Sequence, residues 1–320
     1  MCNGLKGTSR VTEAAVIERD ETFARATHFS GHESFAPRYG WLPKLYEAVR
    51  ETPNLFRDDE AAILTLGLGK NMVRSIRFWG GAFGLTRQDG HETAMTPFAE
   101  LLLDPKTGAD PYLEAPESLW RLHWMITVHG GLGAWICAFI DNYDLEISRG
   151  RYVAHISDLA VATKGAISPS TAAAHADILI RTYADADDGN GGWEERLGSP
   201  FQELGLVRQT TVAGTPMLRF PKGKPMGLSA PAFAFALADF WRQAAHGSRT
   251  LSFRALMGER GSPGTVFRMD EASMHASLVE LASHIAGFQL REDGVGGLVV
   301  QGEAGVIGQL EELAWPSVAR

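Results

Sequence analysis

A mainly α-helical α+β fold, with small β-hairpins in tandem winged helix-turn-helix-like modules, is predicted by three features of the sequence. Residues 69–88, GKNMVRSIRFWGGAFGLTRQ, carry two helical faces: Lys70, Arg74 and Arg77 recur at i, i+4, i+7, and Met72, Val73, Ile76, Trp79 and Phe83 recur three or four apart on the other side. A short polar helix precedes this stretch across a Gly-containing bend, and a strand, an Asp89-Gly90 turn and a second strand follow it. The exit from the helix recurs as well. Gly84-Leu85-Thr86-Arg87-Gln88, Gly205-Leu206-Val207-Arg208-Gln209 and Gly287-Phe288-Gln289-Leu290-Arg291 each precede a Gly-containing turn and another strand. A plainer source of this echo is that Gly followed by an apolar residue is a common way for a helix to end before a strand.

The chain has 320 residues, enough for two or three domains. Residues 1–26 are polar, mixed in charge and aperiodic, and read as a flexible N-terminal arm. Residues 27–150 read as an N-terminal domain. Within it, His28 to Tyr39 holds Gly31 and Pro37 and is expected as strand or loop, and Trp41, Leu45 and Val49 predict a helix from Gly40 to Arg50. Glu60 to Leu66 is the first helix of the helix-turn-helix, and Lys70 to Phe83 is the helix offered to a DNA major groove. Thr96-Pro97 opens a helix through Leu103, Asp104 to Tyr112 is a loop, Ala115 to Val128 is an aromatic helix, and Ala134 to Asp144 continues the core. Residues 151–225 read as a second winged-helix-like module. Its helix starts at Ser168-Pro169 and runs to Ala184, a polar loop follows from Asp185 to Gly192, and strands Leu206 to Gln209 and Met217 to Phe220 flank a turn at Ala213-Gly214. Pro221 to Pro225 is a linker. Residues 226–320 read as a C-terminal winged-helix-like module, with helices at Pro231 to Ala245 and Asp270 to Ala286 and a hairpin turning near Asp293-Gly294.

A formal net charge of -8 argues against a protein that coats nucleic acid by charge alone, so any DNA contact must come from a local basic face. Residues 70–87 supply one: Lys70, Arg74, Arg77 and Arg87, with no acid among them. Cys2 and Cys137 form no disulfide framework or zinc pattern and read as free thiols of a cytoplasmic protein. No signal-peptide core is evident in residues 1–27, and the apolar run Leu122 to Ile140 is broken by His123, His129 and glycines, so it reads as buried helix rather than membrane span.

Three constellations are candidates for chemistry. Gly69-Lys70-Asn71 fails the phosphate-loop pattern, because Leu64 replaces its first glycine and Asn71 its Ser/Thr. A DNA phosphate on the helix N-terminus is the remaining option there. Asn71, Arg74 and Ser75 are placed to reach base edges, with Arg77 on a base or phosphate, against the alternative of a solvated helix face. His32, Glu33 and Arg38 are the candidate catalytic residues: His as general base or metal ligand, Glu as a magnesium ligand, Arg neutralising a pentavalent transition state. Spacing alone favours a structural knot for the same residues, with Glu33 paired to Arg38 and His32 capping a helix. Trp120, His123, Trp124 and His129 read as core packing, and Asp110-Pro111-Tyr112 as a turn.

At these residues the sequence resembles a bacterial family catalogued as a domain of unknown function and found beside DNA phosphorothioation genes. The matching motifs are F-S-G-H-E-S-F-x-x-R-Y-x-W-L from Phe29 to Leu42, L-G-x-G-K-N-M-V-x-S-I-R-F-W from Leu66 to Trp79 and D-P-Y-L-E-x-P-x-S-L-W-x-L-H-W from Asp110 to Trp124. Weaker matches at Ser199 to Leu206 and Ser262 to Phe267 extend the resemblance over about residues 27–302. The resemblance implies a DNA nickase that cuts one strand of double-stranded DNA so that sulfur can be inserted, in an anti-phage system. It implies partnership with a cysteine desulfurase, an ATPase and an ATP-pyrophosphatase-like subunit, and nicking chemistry of this kind calls for a divalent metal, Mg or Mn. A non-catalytic DNA-recognition subunit and a winged-helix transcriptional regulator are the alternatives.

Overall fold

Caps and glycines set the order of the first elements in the computed structural model, which describes residues 27–142, 144–184, 198–244, 248–292 and 297–315. The predicted N-terminal arm, the Asp185 to Gly192 loop and the Asp293-Gly294 turn lie outside the described residues. Gly40, at φ 72°, turns the chain into α1 (Trp41–Glu51). The Asp58 carboxylate accepts from the Glu60 and Ala61 N–H groups and caps α2 (Asp59–Leu66). Gly67, at φ 62°, ends α2 in the left-handed region, and the chain re-enters helix at α3 (Lys70–Ala82). Val73, Ile76 and Trp79 are the buried side of α3, as their spacing requires.

The hairpin after α3 pairs β1 (Thr86–Asp89) with β2 (Glu92–Met95), Thr86 opposite Met95, around Gly90 at φ 60°. Thr96 caps α4 (Pro97–Leu103) through the Ala99 N–H at 3.2 Å. The aromatic helix α5 (Pro116–Trp124) departs from expectation: it passes into a π-helical segment, Met125–His129, and a helical turn at Gly133–Trp135 leads to a second one, Ile136–Ile140. Gly130 N–H reaches Met125 O and Asp141 N–H reaches Ile136 O, so the turns are one residue wider than a 3.6-residue period can foresee.

The remaining chain holds two segments of one topology. In the first, β3 (Glu146–Ser148) is followed by α6 (Arg149–Thr163), α7 (Pro169–Tyr183), β4 (Arg208–Val212) and β5 (Thr215–Arg219), and the sheet order is β3-β5-β4. After α8 (Ala230–Ala244), the second places α9 (Phe253–Gly258), α10 (Pro263–Val266) and α11 (Glu271–His284) between β6 (Thr250–Ser252) and the β7 (Gln289–Glu292) and β8 (Leu298–Gln301) strands. Its sheet order is β6-β8-β7, and α12 (Val306–Ala314) follows. The class is thus α+β with small antiparallel sheets, as predicted. The sequence reading missed β3 and β6 because three residues show no alternation, and it began the second module at Arg151, inside α6. Asp270 and Ser168 cap α11 and α7 through the Ser273 and Thr171 N–H groups.

The buried apolar residues of these segments form one cluster, with Trp79, Trp120, Trp124, Trp135 and Trp241 fully enclosed. Polar rivets cross it. His123 Nε2 donates to Val266 O at 2.9 Å, its Nδ1 accepts from the Tyr183 hydroxyl at 2.7 Å, and that oxygen accepts from Trp135 Nε1 at 3.0 Å. One imidazole therefore joins α5, α7 and α10 with every polar atom satisfied, which agrees with the core role expected of it. The Arg268 guanidinium, buried at φ 53°, donates to the Asn142, Asp144 and Phe220 carbonyls. Among the described residues no helix is long and apolar enough to cross a membrane.

Candidate nucleic-acid interface

Four polar residues of α3 stand at the surface. Lys70, Asn71, Arg74 and Arg77 are exposed, and the Arg77 guanidinium lies 5.4 Å from the centre of the Phe56 ring. Ser75 does not join them, which corrects the expectation that it reaches base edges. It is fully buried, and its hydroxyl donates to His32 O at 3.0 Å. One residue along a helix turns a side chain by 100°, which carries Ser75 from the basic face to the packed one. Arg87 is half-buried on β1, with Nη1 3.7 Å from Asp89 Oδ2. The basic face also has an acidic neighbour that periodicity within α3 hides. Asp59, at the start of α2, sits 3.2 Å from Lys70 Nζ and 3.8 Å from Arg74 Nη2.

The His28 to Tyr39 segment is fastened beneath this helix. Trp79 Nε1 donates to Phe35 O at 3.0 Å, and Glu33 and Ser34 take positive φ, 49° and 65°, to turn the chain there. His32 is buried and stacks on His175 of α7, ring centroids 5.3 Å apart and planes 9° from parallel. Ser34 N–H donates to His32 Nδ1, so His32 Nε2 carries the proton and donates to His175 Nδ1 at 3.1 Å. His175 then bears its proton on Nε2, a buried atom without a hydrogen-bond partner among the described residues. Burial, then the positive charge of Arg181, pushes His32 down to about 4. Burial, then the His32 and His28 charges, pushes His175 down to about 3. Both rings are neutral at physiological pH.

His32, Glu33 and Arg38 are therefore not gathered on one surface. His32 points inward to His175, Glu33 is exposed on its turn, and Arg38 lies flat at 5.6 Å from the Phe35 ring centre and 5.7 Å from that of Trp41. Among the described residues Glu33 and Arg38 form no ion pair, and His32 caps no helix, so the predicted structural knot is not the one built. The residues also do not fit a preformed metal cage: no group of three or more His, Cys, Asp or Glu gathers among those described, and the Nε2 of His32 is already committed. Sequence reasoning passed over one buried histidine–aspartate pair. His129 Nε2 lies 2.7 Å from Asp239 Oδ2, which also accepts from Trp124 Nε1 at 2.9 Å. Burial pushes Asp239 up, but the His129 charge and the hydrogen bonds of His129, Trp124 and Gln243 outweigh it and hold the carboxyl below its ordinary value.

An α+β protein with an exposed basic helix, braced from below by an inward-facing histidine pair, is the class these features define. Residues 29–305 match the family described as "Protein of unknown function (DUF4007)", and the chain belongs to that family. It is similar to a solved protein described as "SspB crystal structure", with 32% identity over 91% of this chain and 88% of that one, at a TM-score of 0.79. A "Magnesium ion-bound SspB crystal structure" aligns at 31% identity over 92% and 90% of the two chains, also at 0.79. Among curated proteins nothing matches. The chain is SspB-like in sequence and in fold.

Proposed function

We propose that this protein is the DNA-nicking subunit of a bacterial DNA-phosphorothioation defence system, seating double-stranded DNA on α3 and opening one strand for sulfur insertion. The observation that carries the DNA half of this reading is the exposed run of Lys70, Asn71, Arg74 and Arg77 along one helix, ahead of the β1–β2 hairpin. In this reading the α2–α3–β1–β2 unit is a winged helix-turn-helix, and the two segments with matching sheet order are further modules of that kind. Lys70 meets a phosphate, Asn71 and Arg74 meet base edges, Arg77 meets a base or phosphate, and Arg87 touches the backbone from the wing. The nicking half rests on the family resemblance together with SspB-like similarity across the chain. The cysteine desulfurase, the ATPase and the ATP-pyrophosphatase-like subunit are its proposed partners.

A divalent ion is assigned no step here. Magnesium commonly keeps several waters and takes only one or two carboxylates plus substrate phosphates, so the DNA itself would complete such a site. Of the three candidate catalytic residues, Glu33 and Arg38 reach solvent and His32 does not.

The test is relaxation of supercoiled plasmid with magnesium, manganese or chelator. Metal-dependent nicking is expected, reduced in the Lys70→Ala/Arg74→Ala variant and lost in Glu33→Ala with its thermal melt unchanged. His32→Ala is expected to lower the melt as well. A second reading, a non-catalytic recognition subunit that recruits the modification enzymes, is favoured by the inward commitment of His32. Salt-sensitive binding with no relaxation under any metal would select it and remove the nickase.

A further inference from the structure

Two tyrosines stand out on the rim of a narrow cleft walled by Arg38, Leu113, Pro200 and Phe201: Tyr39 is 46% exposed and Tyr112 is 68% exposed. The Tyr39 hydroxyl donates to the Glu203 carboxylate, which holds its ring in place. Tyr112 rides on a braced turn, where the Asp110 carboxylate accepts from the Glu114 and Ala115 N–H groups at 3.0 and 2.9 Å and Leu113 holds φ 57°. The Arg38 guanidinium packs on the Phe35 and Trp41 rings and makes no ion pair or hydrogen bond among the described residues. The floor joins α3, because Phe201 stacks on Phe83 at the end of that helix, 5.1 Å between centroids and 6° between planes.

Exposed aromatic faces beside a guanidinium without an ion pair are what single-stranded nucleic acid is gripped by: bases stack on the rings, and the cation meets the backbone. The cleft has too little space to enclose a base, so a base would lie against the rim. Glu203 repels phosphate from its side, which leaves the Arg38 side for the charge. We propose that this rim receives one unstacked nucleotide of a DNA strand, its base against Tyr112 and Tyr39 and its phosphate at Arg38. The proposal rests on the DNA reading above and adds a second contact, for strand that has left the duplex. It assigns Arg38 to holding substrate.

The experiment compares fluorescence anisotropy of the full chain on a short duplex and on the same duplex with a central single-stranded gap. Wild type is expected to prefer the gapped DNA. Tyr112→Ala is expected to weaken gapped binding roughly 5- to 150-fold, leaving intact duplex unchanged, whereas Tyr112→Phe keeps the preference because its ring still stacks. Arg38→Gln is expected to lower the salt slope on gapped DNA by about 0.7, one single-strand phosphate contact. Matching melts exclude misfolding as the cause. A wild type without gap preference, or a Tyr112→Ala variant that retains it, overturns the proposal. If duplex binding persists in those cases and is lost in Lys70→Ala/Arg74→Ala, the DNA reading stands alone; if wild type binds neither DNA, both fall.

Discussion

Removing the Asp59 carboxylate is expected to tighten DNA binding. Asp59 is the acid nearest the basic face, 3.2 Å from Lys70 Nζ and 3.8 Å from Arg74 Nη2. At those separations in water each attraction is about 1.3 and about 1.1 kcal/mol before screening. All three side chains are about half exposed, and salt with a Debye length of about 8 Å screens them further, so the two together come to about 1–2 kcal/mol. A phosphate approaching either cation must compete with that, and Asp59 also repels the phosphate directly. Asp59→Asn should therefore tighten duplex binding about 5- to 30-fold and steepen the salt dependence as the freed cations engage phosphate. Its structural cost is small. The helix cap is Asp58, and Asp59 contributes only a first-turn charge, at most about 1 kcal/mol. The assay is anisotropy with a duplex probe over a salt series, with thermal melts alongside. An unchanged or weaker affinity in a variant that melts like wild type would refute the assignment of this face to DNA.

Two further outcomes concern the interior. His32, His123 and His175 are held neutral, pushed by burial to about 4, about 4 and about 3. Their folded values lie below the unfolded 6.5, so their stabilising contribution is complete above that pH and is lost as pH falls from 6.5 towards 4 and 3, at up to roughly 4 kcal/mol per pH unit for three groups. Urea unfolding at pH 7, 6 and 5 checks this, and a flat profile would contradict it. Arg121 is fully buried, donating to Ala314 O at 2.9 Å and Glu117 Oε1 at 3.1 Å, with Trp315 packed on it at 4.9 Å. Arg121→Met should destabilise by about 1–3 kcal/mol, and Arg121→Met/Glu117→Gln by less, since the double change leaves no unpaired charge. Equal losses in denaturant melts would show that the pair is not coupled.

The sequence by itself determined the helices with caps and amphipathic stripes, α1, α3, α4, α7 and α11, because those signals lie within a few residues of each other. It determined the basic side of α3 for the same reason. The family followed from contiguous motifs. Tertiary structure alone decided what those faces meet. Asp59 neutralises part of the basic face from another helix, and Ser75 turns inward to His32. His32 joins His175, 143 residues away, and so leaves the surface where its neighbour Glu33 stays. Tyr39, Tyr112 and Phe201 come from three separate motifs and share one cleft only after folding. Local periodicity reports which side of an element is buried. The partner that buries it, and whether a polar side chain faces water or another ring, depends on long-range packing that no local window contains.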